Sequence, residues 1–157
     1  MKLWVTDLDN TLCDTDVLEN DTSRIGELVL FDDVAKLFKV LVAQGVPIVV
    51  LTKGDFVYQR SKIHQLGLTD VIDEMYVASS DAEKAILFKK ILEVYEVAPE
   101  DVVMIGDRRD AEVAIGREFG AKTIWYKHGK YNESGDVPEG VLVAENYKDI
   151  LELVTDL

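Results

Sequence analysis

The sequence predicts a three-layer α/β sandwich with a mostly parallel, five-stranded sheet, and three observations lead to that prediction. Short apolar runs alternate with longer stretches of helical periodicity along the 157 residues. The run at 46–51 is continuously apolar, which is typical of a strand covered on both faces. Glycines at positions 45, 67 and 120 follow periodic stretches, where helices commonly end. Such alternation implies right-handed crossovers and helices on both faces of the sheet.

The individual elements follow from the same periodicity. We expect strands at 2–8, 46–51, 75–78, 102–105 and 123–126. We expect helices at 32–44, 55–66, 82–96, 110–119 and 146–157. A strand and a helix alternate from the first strand to the fifth, and a loop then leads to the final helix. We assign residues 1–157 to one domain, because this length fits a single hydrophobic core.

Composition excludes several classes of protein. The net charge of −13 opposes binding to nucleic acid and to anionic membranes, since both are polyanions. A single cysteine, Cys13, excludes an internal disulfide framework and a Cys-rich zinc site. No apolar run approaches the roughly 20 residues of a transmembrane helix, and the N-terminus is unlike a signal peptide. We therefore expect a cytoplasmic protein without membrane or nucleic-acid partners, although a bound metal would still permit a phosphorylated substrate.

Two carboxylates, Asp7 and Asp9, come at the end of the first predicted strand. Residues two apart in a strand project from the same face, so we expect these side chains to lie close together. Two carboxylates in that position need a metal ion or a shared proton between them. A solvated acidic turn is the alternative for this pair taken alone.

Three further strand–helix junctions carry groups that suit phosphoryl transfer. Thr52 and Gly54 follow the second strand, where a hydroxyl and backbone N–H groups can bind an anion. Lys84 lies near the start of the third helix, and Asp107 follows the fourth strand. Each could be an ordinary cap or a surface residue, but parallel strands bring all of them to one edge. Carboxylates around a hard cation, with a hydroxyl and an ammonium, indicate phosphoryl transfer.

These motifs resemble those of the haloacid dehalogenase (HAD) superfamily, in its phosphatase branch. The segment DLDNT at 7–11 is similar to the first motif, DxDxT, and LTKG at 51–54 is similar to the second. Lys84 matches the third motif by its spacing before the GD pair at 106–107, which matches the fourth. The resemblance covers residues 2 to about 126 and implies the Rossmann-like HAD fold.

The resemblance implies a Mg²⁺-dependent phosphomonoester hydrolase. Asp7 is implied as the nucleophile that forms a phospho-aspartyl intermediate. Asp9 is implied as the general acid for the leaving group and then as the general base for water. The implied Mg²⁺ ligands are the carboxylates of Asp7 and Asp107 and the backbone carbonyl of Asp9, and Lys84 is implied to fix the phosphate and the nucleophile.

Two parts of the implied site are less closely specified by the motifs. A further carboxylate is expected after Asp107 to support the metal, and Glu112 is our choice, with Asp110 as the alternative. The residues expected to bind substrate are Thr52, Lys53, Gly54 and Arg108. Arg108 and Arg109 could hold a second phosphate or carboxylate, and surface ion pairing is the alternative for both. The basic loop at 127–131 is a further candidate for substrate contact.

The segment at 10–31 is too short to form the cap domain that many HAD relatives carry. We therefore expect a capless chain with an open site, which acts on a small-molecule phosphate ester or a phosphorylated macromolecule. Capless relatives tend to oligomerise, so a homo-oligomer is expected.

Two non-catalytic interpretations compete with the phosphatase. A receiver-like phospho-acceptor module would have its acceptor aspartate at the end of the third strand, whereas Asp81 comes too late in the chain. A regulatory partner-binding domain on the same fold would be expected to lack some catalytic positions, and here the principal ones are filled.

Overall fold

A computed structural model describes residues 1–128 and 135–155 of the protein. The strands are β1 (Leu3–Thr6), β2 (Ile48–Lys53), β3 (Glu74–Ala78), β4 (Val102–Gly106), β5 (Lys122–Tyr126) and β6 (Val141–Ala144). The helices are α1 (Val34–Ala43), α2 (Phe56–Gln65), α3 (Asp81–Val94), α4 (Ala114–Phe119) and α5 (Tyr147–Thr155). All neighbouring strands pair in parallel, in the order β3-β2-β1-β4-β5-β6.

The two central strands, β1 and β4, are buried along their whole length. Alternation in β1 sends Trp4 into one hydrophobic layer and Leu3 with Val5 into the other. The first layer packs under α1, α2 and α5, and the second packs under α3 and α4. These three layers confirm the α/β sandwich that the apolar pattern predicts.

The direction of winding reverses between β1 and β4, and this determines where the reactive groups lie. The chain runs from β1 through β2 to β3 on one side, and from β4 through β5 to β6 on the other. The carboxyl ends of β1 and β4 are therefore adjacent, and the Asp7 N–H donates to the Ile105 carbonyl at 3.0 Å. Ligands of open α/β sheets bind at such a reversal.

The sheet has six strands where the sequence predicts five. The additional strand β6 lies at the edge of the sheet, and its two middle residues, Leu142 and Val143, are 50% and 41% exposed. A half-exposed run of four residues has neither the length nor the alternation by which a strand is recognised, so the sequence predicts a loop for this segment. The last two residues of the predicted final helix lie outside the described residues.

No cap domain interrupts the described chain. The segment that follows the first motif forms two short 3₁₀ helices, Thr15–Leu18 and Thr22–Glu27, before α1 begins. Core elements fill the chain between β2 and α3. Within 1–128 and 135–155, no helix combines the length and apolar character needed to cross a bilayer.

Close packing of α4 on β5 depends on a glycine. A Cβ added at Gly116 would lie 2.3 Å from the Thr123 Oγ1 atom, whereas one added at Gly26 would meet nothing within 4 Å. We expect Gly116→Ala to lower the free energy of unfolding by about 1–3 kcal/mol, because the helix must move away from the strand. Thermal unfolding should show a Tm lower by several degrees.

The matched variant Gly26→Ala should leave Tm within about a degree of the wild type. Addition of Thr123→Ala to the Gly116→Ala variant removes the closest contact and should restore part of the loss. A Gly116→Ala protein as stable as the wild type would contradict this account of the interface.

Candidate active site

A cleft of about 520 Å³ opens at the carboxyl ends of β1, β2 and β4. The predicted catalytic and metal-binding residues line it together with Thr52, which is predicted to bind substrate: Asp7, Asp9, Lys84, Asp107 and Glu112. Both acidic and basic groups face this cleft, so their pairing determines the local charge.

Three buried carboxylates meet at the base of the cleft. Asp7, Asp107 and Glu112 each offer an oxygen atom, and these three atoms lie within 4.8 Å of one another. The Lys84 ammonium lies 3.2 Å from Asp7 Oδ1 and also pairs with Glu112. Three carboxylates around one ammonium leave an excess of negative charge, because Lys84 can neutralise only one of them.

Glu112 reaches the cluster because the chain turns tightly after β4. A π-helical turn, Arg109–Val113, brings the Glu112 side chain back to the mouth of the strand, with 1% of it exposed. Gly106 makes room for it, since a Cβ at that position would lie 2.3 Å from Glu112 Cγ. The alternative candidate Asp110 has a side chain that is 84% exposed, and it does not line the cleft. Glu112 is therefore the carboxylate that joins Asp7 and Asp107.

The charge excess is reflected in the proton affinities of the cluster. Burial raises the pKa of Asp7 well above its usual value, against the opposing charge of Lys84. Burial and the charge of Glu112 raise the pKa of Asp107 to about 7. Burial opposes the charged form of Lys84, but Asp7 and Glu112 outweigh it and raise the Lys84 pKa. The cluster has the all-oxygen ligands and the unbalanced negative charge that suit Mg²⁺.

Asp107 is fixed from two sides. The Trp125 indole N–H donates to its backbone carbonyl at 3.1 Å, and the Thr11 hydroxyl lies 3.5 Å from its Oδ1 atom. The hydroxyl of Tyr147, on α5, donates in turn to the Thr11 carbonyl. The last helix thus supports the loop that follows β1.

The carboxylate of Asp9 faces α2 and is not part of the acidic cluster. It accepts hydrogen bonds from Lys62 at 2.7 Å, Thr15 at 2.9 Å and Gln59 at 3.0 Å. The sequence predicts that alternate residues of a strand share one face, but β1 ends at Thr6, so strand alternation does not extend to Asp9. The chain leaves the sheet before this residue, and α2 determines where its carboxylate lies.

Two of these partners, Gln59 and Lys62, were not predicted from the sequence. They are 2% and 4% exposed, whereas the apolar Phe56 and Val57 of the same helix are 52% and 71% exposed. Helical periodicity assigns apolar residues to the interior, and α2 instead buries a polar face against the cleft. In the sequence, the weak apolar periodicity of the 55–66 segment is the signal that could have indicated a buried face with polar residues.

Thr52 and Gly54 lie at the end of β2, as predicted. Gln59 Nε2 donates to Thr52 Oγ1 at 2.7 Å, so one side chain of α2 contacts both Thr52 and Asp9. Gly54 has φ +145°, a backbone conformation that favours glycine. Its N–H donates to the Ala78 carbonyl at 3.0 Å, so this amide already has a partner within the sheet.

Lys53 and Arg108 lie at the mouth of the cleft and share one partner. Arg108 makes two hydrogen bonds of 3.0 Å to the two carboxylate oxygens of Asp81. Lys53 Nζ lies 3.1 Å from Asp81 Oδ1. This carboxylate therefore bridges two side chains that the sequence predicts to bind substrate.

The remaining basic candidates lie beside β5. Lys127 Nζ is 4.5 Å from the centre of the Trp125 ring, and the Arg109 guanidinium carbon is 6.0 Å from that ring. His128 Nε2 lies 3.7 Å from Asp14 Oδ2. The rest of the predicted basic loop, 129–131, lies outside the described residues.

Comparison with known proteins bears on this site. Residues 83–150 match a family model described as HAD-hydrolase-like. The chain is 33% identical over 87 residues to the glyceraldehyde 3-phosphate phosphatase of Pyrococcus furiosus, covering 54% of this chain and 36% of the relative. It is 26% identical over 142 residues to the ribulose-1,5-bisphosphate 5-phosphatase of Halopiger xanaduensis, covering 87% of this chain and 59% of the relative. The chain thus spans about a third and about three fifths of these two proteins.

The fold also matches solved structures. The D,D-heptose 1,7-bisphosphate phosphatase of B. bronchiseptica, complexed with magnesium and phosphate, superimposes with a TM-score of 0.80. The similarity covers 99% of both chains at 16% identity, and at that identity it supports the fold alone. The family model over residues 83–150 and the phosphatase relatives agree with the strand-end motifs, and together they support the similarity of this chain to the haloacid dehalogenase superfamily.

Proposed function

We propose that this protein is a Mg²⁺-dependent phosphomonoester hydrolase that acts through a phospho-aspartyl intermediate on Asp7. The buried cluster of Asp7, Asp107 and Glu112 around Lys84, at the reversal of the sheet, carries the proposal. The two relatives compared above are named as phosphatases, which supports the same reaction class.

In the first step a carboxylate oxygen of Asp7 attacks the phosphorus atom and the ester P–O bond breaks. The leaving oxygen takes a proton from Asp9, which acts as the general acid. Lys84, 3.2 Å from Asp7 Oδ1, orients the nucleophile and offsets charge on the phosphoryl oxygens. The Thr52 hydroxyl and the Lys53 backbone N–H are the proposed donors to those oxygens.

In the second step water attacks the phosphorus atom, the bond from phosphorus to the Asp7 oxygen breaks, and inorganic phosphate forms. Asp9 accepts the proton of the attacking water and is ready to donate it in the next cycle. The contacts from Lys62, Thr15 and Gln59 hold the Asp9 carboxylate beside the cleft for both transfers.

Mg²⁺ fits the donor set at the base of the cleft. We propose that the Asp7 and Asp107 carboxylates and the Asp9 backbone carbonyl would hold the ion, and that Glu112 would support it with a further negative charge. Bound Mg²⁺ supplies positive charge that offsets the phosphoryl oxygens and the nucleophile.

The substrate is proposed to be a small-molecule phosphate ester or a phosphorylated macromolecule, since no cap covers the described cleft. The named substrates of the two relatives are a triose phosphate and a pentose bisphosphate, both phosphate monoesters. A cytoplasmic location and a homo-oligomeric state stay predictions from the sequence.

Asp7→Asn tests the nucleophile. We expect turnover of phenyl phosphate with Mg²⁺ to fall by at least about 1,000-fold, because an amide oxygen is too weak a nucleophile. Acid quenching of the wild type during turnover, followed by peptide mass spectrometry, should locate the phosphoryl group on residue 7.

Asp70→Asn is the matched control, since Asp70 is exposed and lies away from the cleft. It should retain wild-type turnover. An Asp7→Asn enzyme with full activity would reject the assignment of the nucleophile.

The raised carboxyl pKa values predict a pH-dependent effect of Mg²⁺ on stability. The folded chain holds protons on Asp7 and Asp107 more tightly than the unfolded chain does. Their contribution to the free energy of unfolding therefore decreases as pH rises from the ordinary Asp pKa of 3.8 to about 7. Mg²⁺ relieves this repulsion, so it should raise Tm more near pH 7.5 than near pH 5.5.

Thermal unfolding in Mg²⁺ and in EDTA at the two pH values measures this effect. Asp107→Asn, which removes one proposed ligand, should reduce the Mg²⁺-induced rise in Tm at both. Equal Mg²⁺ effects at the two pH values in the wild type would rule out competition between the ion and protons at these carboxylates.

A further inference from the structure

We propose that Lys53 and Arg108 form a second anion-binding subsite at the mouth of the cleft. The substrate then carries a phosphate or carboxylate in addition to the phosphoryl group that is removed. This inference rests on the proposed function and extends it to the class of substrate. The geometry around Asp81 is the observation that carries it.

Each cation is adjacent in sequence to a residue of the proposed active site. Lys53 follows Thr52 at the end of β2, and Arg108 follows Asp107 after β4. All four residues line the same cleft. A ligand whose phosphoryl group lies at the base of the cleft can thus extend towards these two side chains.

The two cations converge on a single anionic group. Arg108 donates from both terminal nitrogens to the two oxygens of Asp81, and Lys53 binds one of the same oxygens. A planar guanidinium fork with an adjacent ammonium matches a carboxylate or a phosphate. The chain's own Asp81 carboxylate therefore marks the position in which an anionic part of the substrate would bind.

The Asp81 carboxylate can be replaced by a ligand, because the cluster is accessible to water. The side chains of Lys53, Asp81 and Arg108 are 41%, 40% and 22% exposed. Ion pairs that water reaches contribute little to stability, so exchanging Asp81 for a substrate anion costs little.

The positions of the other charged residues of the cleft favour the same two cations. The other two lysines of the cleft are more deeply buried. Lys62 is paired with Asp9, and Lys84 is paired with Asp7 and Glu112. Two acidic residues also line the cleft: Asp16 lies in the first 3₁₀ helix, and Glu19 caps the carboxyl end of that helix. An anionic substituent is therefore attracted towards Lys53 and Arg108, whereas a neutral one gains nothing there.

Phosphonates test the subsite without turnover. We compare 3-phosphonopropionate with propylphosphonate, and 4-phosphonobutyrate with butylphosphonate, by calorimetric titration of the Mg²⁺-loaded wild type. For at least one spacer, the carboxylate-bearing probe should bind about three- to tenfold more tightly than the alkylphosphonate in which a methyl group replaces the carboxylate.

Variants should change this affinity ratio in opposite directions. Arg108→Met should bring it close to one, Lys53→Met should reduce it, and Asp81→Asn should increase it by removing the competing carboxylate. Lys36→Met removes a positive charge from an exposed position on α1 that does not line the cleft, and it should leave the ratio at the wild-type value. Thermal unfolding of each variant verifies that it is folded.

The results separate this inference from the proposed function. A wild-type ratio of one for both spacers, no binding of either carboxylate-bearing probe, or an unchanged ratio in folded Arg108→Met would overturn the subsite. If the ratio behaves as expected but phenyl phosphate is not hydrolysed, the subsite stands and the phosphatase assignment fails. If phenyl phosphate is hydrolysed and the ratio is one, only the subsite is rejected.

Discussion

The ion pairs of Lys84 are the interaction on which the site depends. This ammonium is almost fully buried, and it is held in the charged form by Asp7 and Glu112. A buried charge without a partner is strongly destabilising, so the loss of either carboxylate partner would destabilise the whole cluster. One cation cannot balance three carboxylates. The arrangement that keeps Lys84 charged therefore leaves excess negative charge, which a second cation beside it would neutralise. Structural pairing and proposed catalysis therefore have one electrostatic origin.

The topology of the sheet explains why groups so distant in sequence meet at this point. Asp7 and Asp107 are the residues that follow β1 and β4, the two strands between which the winding reverses. Buried strands position these residues rigidly, whereas Asp9 lies in the loop beyond β1 and takes its orientation from α2. The site thus combines a fixed acidic cluster with a carboxylate that a neighbouring helix controls. That division suits the roles proposed for Asp7, a nucleophile that must be held in place, and for Asp9, an acid–base group that serves two steps.

Sequence patterns predict most of the fold and the base of the site. The strands that carry Asp7 and Asp107 are continuous buried runs, and the reactive residues come directly after them, where strand ends converge. The remainder depends on tertiary packing. The edge strand β6 is half exposed, and the buried face of α2 carries Gln59 and Lys62. Glu112 was chosen from the sequence, but the π-helical turn that places it in the cluster was not predicted. Prediction from periodicity assumes that buried residues are apolar and that helices are regular. Neither assumption holds for the residues that line the cleft.

The hydrogen bond from Tyr147 to the Thr11 carbonyl links the edge of the molecule to its centre. Helix α5 follows the outermost strand, yet its first residue supports the loop that carries the first motif. A change that loosens the β6–α5 unit would therefore displace backbone near Asp7 and Asp107 without touching either of them. Packing at the edge of the sheet can therefore affect the position of the loop that follows β1.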